Sequence, residues 1–280
     1  MRIAGTVILY NPPNNILNNI ETYLDDLEFL LIYDNSSNNH AEKHFKNNSK
    51  FHYIWEGENK GIAVRLNNAI ETCKDKNIDF LLTMDQDSSF QSGDFLKYRN
   101  FITNYDSSCI GMFGILHNKK NIPSSKISEN QILITSGSVL NIKNTKNIGK
   151  FDDKLFIDHV DTDYCIRIFN EKLKTIRLNE IVLEHNEGEI THTRTLMFKK
   201  ESRMIHSPIR IYYKTRNHLY LAKKHRKFSK YIGYNILLNI IKNNLLYNSN
   251  KISTLYYAIK GIIDSKKLIK SLKYNNKSNT

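Results

Sequence analysis

The sequence predicts an α/β fold: a mostly parallel sheet with helices on both faces, followed by a basic helical extension. Three observations lead there. Short apolar runs, partly β-branched, alternate with amphipathic stretches through the first half of the chain. Each of these runs ends in a polar cluster. The charge is also segregated. Residues 191–280 hold 20 Lys and Arg against 2 Asp and Glu, net +18, which leaves residues 1–190 with 21 against 26, net −5. Two domains are therefore expected, a body over 1–190 and a basic helical region over 191–280.

With 280 residues, 40% of them hydrophobic and 25% charged, the chain can bury a substantial core. That composition excludes collagen, a coiled coil and wholesale disorder. No apolar run approaches the roughly 20 residues that span a bilayer. The opening MRIAGTVILYNPP has no small-residue cleavage site and runs into Pro12-Pro13, so it reads as a first strand and not as a signal peptide. Cys73, Cys109 and Cys165 are scattered and lack metal-ligand spacing. They are expected to be free thiols in a reducing cytosol.

The elements follow in order. Ile3–Tyr10 is a buried strand, stopped by Asn11-Pro12-Pro13-Asn14. Ile16, Leu17, Ile20, Leu24 and Leu27 recur at helical spacing and predict a helix over Ile16–Leu27. A strand at Phe29–Tyr33 closes on Asp34-Asn35-Ser36-Ser37, and a short helix leads to a strand at Phe51–Trp55. The turn Asn59-Lys60-Gly61 opens a helix over Ile62–Lys74, and the strand Phe80–Met84 ends at Asp85-Gln86-Asp87. Residues 107–190 are less regular, with a strand predicted over Ile132–Leu140 and a loop around Asn118–Asn130. From residue 200 onward the pattern is helical, over Tyr212–Lys224, Tyr231–Tyr247 and Leu255–Leu272.

In parallel sheets ligands gather at the carboxyl ends of strands, where these polar clusters stand. Asp85 and Asp87 are hard oxygen donors suited to Mg²⁺ or Mn²⁺, ions that usually also take substrate phosphates. The plainer role for such a pair is to cap a helix. Asp34, Asn35 and Ser36 can line a nucleotide or form an Asx turn. Asn59, Lys60 and Gly61 precede a helix carrying Arg65, and both the helix N-terminus and Arg65 favour phosphate oxygens. Neither a P-loop nor a G-x-G-x-x-G fingerprint occurs. Asp158, Asp161 and Asp163 cluster with His159 before a helix, where one carboxylate can act as general base and another as cap. His185 follows the apolar run 181–183, with His192 as a substitute, and either can serve a metal or a diphosphate.

The order of these motifs resembles the family 2 glycosyltransferases, of GT-A (Rossmann-like) fold, and within them the bacterial rhamnosyltransferase type that builds O-antigen, capsule or other surface polysaccharide. The residues that carry it are VILYN at 7–11, YDNSS at 33–37, ENKGIA at 58–63, LTMDQDS at 82–88, TSGS at 135–138, FDDKLFIDHVDTDYCIR at 151–167 and RIYYKTRN at 210–217. Together they span most of residues 1–220.

The resemblance implies an inverting, metal-dependent transferase. Its donor would be a nucleotide diphosphate sugar (a dTDP- or UDP-sugar), and its acceptor a lipid-linked saccharide or an oligosaccharide. It implies that Asp34 contacts the base, that Asp85 contacts ribose or sugar, and that Asp87 binds Mg²⁺ or Mn²⁺. Tyr10, Asn35, Ser36, Asn59, Lys60, Gly61, Arg65, Gln86, Arg210 and Arg216 complete the expected donor site. Thr135, Ser136, Gly137 and Ser138 are expected to line the sugar and acceptor site. Asp161 is the expected base, with Asp158 and Asp163 as substitutes. The family's acidic pair reads Val160-Asp161 here, so its first acid is missing, as in the rhamnosyl-like branch. His185 falls where the family often places a His near metal or phosphate, but the Ser that usually follows is absent from 187–190.

The basic region suggests an anionic inner-leaflet surface as partner and a cytoplasmic, peripherally attached protein. The plainer alternative is a helical subdomain whose Lys residues are solvated. Three competing functions are weaker. A nucleic-acid binder is suggested by the net +13 but lacks a basic-aromatic motif in the body. A nucleotidyltransferase would carry a Gly-rich basic loop after the first strand. A non-catalytic sugar-nucleotide binder would not need both Asp85 and Asp87.

Overall fold

A computed structural model describes residues 1–117, 122–185, 190–194 and 200–275. It divides into two compact units, Met1–Phe156 with Val160–Asn186, and Ile157–His159 with Glu187–Thr280. The boundary expected after residue 190 thus stands beside a first unit that ends at Asn186 and a second that also takes in three residues from the middle of the first.

The first unit runs β1 (Ile3–Leu9), α1 (Ile16–Leu24), β2 (Leu30–Asp34), a 3₁₀ turn (Glu42–His44), β3 (Phe51–Trp55), α2 (Gly61–Asp75), β4 (Phe80–Asp85) and β5 (Ser88–Ser89). It continues with α3 (Asp94–Asn104), β6 (Ile110–Leu116), β7 (Ile127–Glu129), β8 (Ser138–Asn141), α4 (Val160–Asn170), β9 (Lys174–Val182) and β10 (Glu184–His185). Eight strands form one sheet in the order β3-β2-β1-β4-β8-β6-β9-β7. The first four are parallel to one another, and β9 is parallel to β6. By contrast β8 runs antiparallel to both β4 and β6, and β7 antiparallel to β9, so the sheet is mixed.

Strand order and handedness place the helices. The chain moves one way along the sheet through α1 and back the other way through α2. Right-handed crossovers then put these helices on opposite faces. The core agrees. One apolar cluster joins Ile16, Ile20 and Tyr23 of α1 and Phe95 and Tyr98 of α3 to Val7, Ile32 and Leu82 of the strands. Ala63, Leu66 and Ile70 of α2 are also buried but lie outside that cluster.

Three expectations change. The strand predicted over 132–140 shrinks to Ser138–Asn141, because Thr135-Ser136-Gly137 is a turn with Gly137 at φ +72°. The regular elements α3, β6 and β9 occupy ground that the sequence left blank or irregular, and β7 falls within the loop expected around Asn118–Asn130, pairing with β9. Residues 200–204 are strand and not helix: β11 (Ile190–Arg194) and β12 (Lys200–Met204) pair as an antiparallel ladder in the second unit.

The remainder of the second unit is helical: α5 (Pro208–Lys224), α6 (Ser229–Ile232), α7 (Tyr234–Tyr247) and α8 (Lys251–Asn275). Pro208 sits in the first turn of α5, where its missing N–H costs nothing. The helix expected over 231–247 is broken at Gly233, whose backbone is extended. A Cβ there would lie 2.8 Å from the Ser229 carbonyl oxygen. The segment before α4 is unusual, since Phe156, Asp158 and His159 all have φ between 61° and 64°. Each such residue costs about 1–3 kcal/mol unless its surroundings hold it. In the second unit Asn217 Nδ2 does so, donating to the carbonyls of Ile157 (2.7 Å) and Asp158 (3.0 Å).

Three described histidines of this unit, His159, His206 and His218, have depressed pKa values, His218 through burial. Burial, the His218 ring 5.1 Å away and Lys214 push His159 down to about 4. Burial, Lys214 and Arg210 push His206 down to about 4. An unfolded chain protonates all three near pH 6.5. Between these values it binds more protons than the folded chain, so stability rises with pH across this window and falls on acidification. Thermal denaturation from pH 7 to 4.5 should show a steady loss of Tm, and the loss should be smaller in His159→Asn, since Asn tolerates the positive φ.

Candidate active site

The loops after β1, β2 and β3 are tied together by the polar cluster that follows β2. Asp34 is fully buried; its Oδ1 accepts from the Ser36 N–H (2.8 Å) and its Oδ2 from the Tyr53 hydroxyl (2.7 Å). Burial and the Asp34 carboxylate together push the Tyr53 pKa up. Ser36 Oγ accepts from the Asn11 N–H (2.7 Å), and its carbonyl accepts from Trp55 Nε1 (3.0 Å). Asn35 Oδ1 accepts from Arg65 Nε (2.8 Å) and from the Lys60 N–H (3.3 Å), while its Nδ2 donates to the Gly61 carbonyl (3.4 Å).

Beside this hub a cavity of about 220 Å³ is lined by Asn11, Pro12, Asp34, Ser36, Lys43 and His44 among others. Lys43 and His44 were not singled out from the sequence. Both stand in the 3₁₀ turn Glu42–His44, which occupies the stretch where a short helix was expected.

Arg65, expected at a phosphate, lies elsewhere. Its guanidinium is fully buried, bonded to Glu56 and Asn35, and 5.5 Å from the centre of the Tyr33 ring. It fastens the β3–α2 loop and does not face solvent. Lys60 Nζ pairs with Glu56 (2.9 Å) and Glu58 (3.2 Å), and the bonds from Lys60 and Arg65 hold the Glu56 carboxyl below its ordinary pKa. Asn59 Oδ1 accepts from the Gly61 N–H (2.9 Å). Gly61 has φ +77°, and a Cβ there would lie 2.5 Å from the Phe156 ring. Only glycine fits.

At the end of β4, Asp85, Gln86 and Asp87 are all half-buried. Gln86 exchanges two hydrogen bonds with the backbone of Tyr10, at 2.8 and 3.2 Å, leaving the Tyr10 ring exposed. The turn 135–138 packs alongside. The Asp85 N–H donates to Ser136 Oγ (3.1 Å), the Gly137 N–H donates to the Thr83 carbonyl (2.8 Å), and Thr83 Oγ1 donates to the carbonyl of Thr135. Ser136, Gly137 and Ser138 are buried and only Thr135 is half-exposed, so the first three shape the strand end from within. A ring nitrogen of His117, another residue the sequence did not flag, lies 2.7 Å from the Ser136 carbonyl. On the other side, β10 pairs antiparallel with β5 and sets His185 opposite Ser88, the residue after Asp87. The side chains of His185 and His192, and residues 187–189, lie outside the described residues.

Among the described residues no group of three or more His, Cys, Asp or Glu is arranged to hold a metal. Asp85 and Asp87 together offer carboxylate oxygens at one strand end. Such a pair suits a Mg²⁺ or Mn²⁺ ion that completes its shell with water and phosphate oxygens, and does not suit a closed protein cage.

The three candidate bases have different surroundings. Asp163 is fully buried and accepts from Arg167 Nε at 2.8 Å, an ion pair inside α4. Asp161 is half-buried in the first turn of α4, its Oδ1 accepting from the Thr162 N–H (2.7 Å). Asp158 belongs to the second unit and pairs with Arg210 (3.4 Å) and Lys214 (3.7 Å). Arg216, also in that unit, lies over the rings of Tyr212 and Tyr213 and donates to Asn217 Oδ1 (2.9 Å).

A sheet ordered β3-β2-β1-β4, with carboxylates and a cavity at its carboxyl edge, is the nucleotide-binding form of an α/β domain. The sequence model of the family described as Glycosyl transferase family 2 matches residues 6–176, and the chain belongs to that family. It is a nucleotide-sugar glycosyltransferase. It is similar to the dTDP-rhamnosyl transferase RfbF of Shigella flexneri, 27% identical over 241 residues that cover 79% of this chain and 80% of that one. Solved structures share the fold. GalNAc-T7, crystallised with UDP, GalNAc and Mn²⁺, matches with TM-score 0.54 and 10% identity over 66% of this chain and 43% of its own. Residues 1–349 of S. aureus TarS match with TM-score 0.53 and 14% identity over 98% of this chain and 92% of that one.

Three substitutions separate scaffold from chemistry. Gly61→Ala should destabilise the protein by about 2 kcal/mol or more, through strain and the Phe156 clash. Asp163→Asn, which leaves Arg167 without its buried counter-charge, should cost about 3 kcal/mol. Asp161→Asn should change stability by no more than about 0.5 kcal/mol. Urea denaturation checks all three.

Proposed function

We propose that the protein is an inverting, metal-dependent transferase that moves a sugar, rhamnose in the first instance, from a dTDP- or UDP-linked donor to a saccharide acceptor in surface polysaccharide synthesis. The observation that carries this is the gathering of Asp34, Asp85 and Asp87 with the 135–138 turn at the carboxyl ends of the parallel strands β2, β1 and β4. The likeness to a dTDP-rhamnosyl transferase supports the choice of donor.

The nucleotide base enters the cavity beside Asp34 and Ser36. The Asp34 carboxylate is already held by Ser36 and Tyr53, so it presents a fixed acceptor and does not reorganise on binding. Asp85 takes the ribose or donor sugar. Asp87, with Asp85 and His185 as further ligands, would hold Mg²⁺ or Mn²⁺, whose chemistry when bound is Lewis-acid neutralisation of the leaving diphosphate. Thr135 is the member of its turn with a surface to offer a sugar.

Asp161 is the base. Its carboxylate takes the proton of an acceptor hydroxyl as that oxygen bonds to the anomeric carbon. The bond from that carbon to the diphosphate breaks, and the electron pair leaves on the phosphate oxygen. One displacement inverts the configuration and needs no nucleophile from the protein. Of the alternatives, Asp163 is engaged by Arg167 and Asp158 by two cations. Arg65 is left out because its guanidinium is buried.

A donor screen tests this. Purified protein with Mn²⁺ or Mg²⁺ should release nucleoside diphosphate from one of a panel of UDP-, dTDP- and GDP-sugars, with release lost in EDTA and in Asp87→Ala. Asp161→Asn should lower turnover by at least about a hundredfold while the donor still raises Tm. Absence of turnover and of any thermal shift with every donor would overturn the assignment.

A further inference from the structure

Helix α8 is built inside out. The face it buries consists of small residues: Thr254, Ala258, Gly261 and Ser265, spaced 4, 3 and 4 apart. They let the helix backbone press against α5, so closely that a Cβ at Gly261 would lie 2.8 Å from the Tyr212 carbonyl oxygen and 3.0 Å from Thr215 Cβ. The large apolar side chains are on the opposite face. Ile252, Leu255, Tyr256, Ile259, Ile262 and Ile263 are between 42% and 86% exposed and follow one another at helical spacing along a single stripe. A helix that only completed a globular core would place these groups inward. Six large apolar side chains on one exposed face constitute a binding surface.

Its charge says what it binds. By helical spacing Lys251, Lys260 and Lys267 flank the stripe, and Lys266 and Lys270 continue it toward the C-terminus; all five are exposed. Residues 208–275 carry 15 Lys and Arg against one acid, net +14. That acid, Asp264, is engaged by Lys267 (3.0 Å) and by the Tyr212 hydroxyl (3.1 Å). A second copy would bring lysines against lysines, and a nucleic acid would leave the isoleucines without apolar contact. An anionic bilayer satisfies both parts, since lysine stems lie along the apolar surface while the ammonium groups reach lipid phosphates. No described helix is long and apolar enough to cross a membrane. Among these partners the structure therefore fits an interfacial helix.

We propose that the outward stripe of α8 docks the protein on an anionic lipid surface. This goes beyond the sugar transfer proposed above and does not depend on it. Flotation of the full-length protein with vesicles of phosphatidylglycerol and phosphatidylcholine in equal parts tests it, with phosphatidylcholine alone as control. Binding is expected to the first at low salt, reduced by added salt, and not to the second. Ile259→Ser with Ile263→Ser should weaken binding roughly tenfold, because each removes an inserting side chain. Lys266→Glu with Lys270→Glu should weaken it by at least roughly as much. Both variants should keep the Tm and the donor turnover of the wild type, since all four side chains are exposed.

Three results would overturn the proposal: no flotation with the anionic vesicles, flotation unchanged in the isoleucine variant, or a dimer by sedimentation that those substitutions dissolve. The last would give the stripe to a second copy.

Discussion

Arg65 carries a permanent positive charge into the interior of the first unit, and much of the carboxyl edge is arranged to meet it. A guanidinium removed from water needs nearly all of its donors satisfied and an opposite charge in reach. Asn35, Glu56 and the Tyr33 ring supply these, from the end of β2 and the loop after β3. Because Asn35 Oδ1 also accepts from Lys60, the same side chain fixes the turn that starts α2. Glycine at 61 is then required, since Phe156 closes over that turn. The hub after β2 is thus a scaffold, and Asp34 stands inside it with both carboxylate oxygens held by hydrogen bonds.

The sequence was most informative where period and punctuation agreed. Strands β1 to β4 and helices α1 and α2 fall within a few residues of their expected places, because each is an apolar run ended by Asn, Asp, Pro or Gly. Legibility fell after residue 90. Strand β6 is a fully buried run, IGMFGIL, with no alternation to mark it. The antiparallel insertion of β8 between β4 and β6 depends on long-range pairing that no local pattern encodes. The site shows the same division. The carboxylates at strand ends could be found from spacing alone. That Arg65 is buried, or that Asp163 is paired with Arg167, depends on tertiary neighbours. His117 and Lys43 had no signal at all.

Polarity in this chain is used in two opposite senses. In the first unit charged groups are drawn inward and locked by partners, as Arg65, Asp34 and Asp163 are. In the second unit α8 turns its small residues inward and its isoleucines outward among lysines. Either pattern taken alone would look like an error of burial. Each becomes reasonable once the charge is matched by a partner, inside or outside the chain.

The three residues Ile157–His159 alter how the two units relate along the chain. The second unit is not simply appended, since it reclaims a short stretch that lies between two parts of the first. Asn217, Arg210 and Lys214 hold that stretch. A chain cut after residue 186 would retain every strand of the main sheet and still lose the groups that hold 157–159, where Asp158 and His159 have positive φ. The two units are therefore distinct in packing but interleaved in sequence. Evolutionary exchange of the basic region for another would have to bring along its own clasp for that loop.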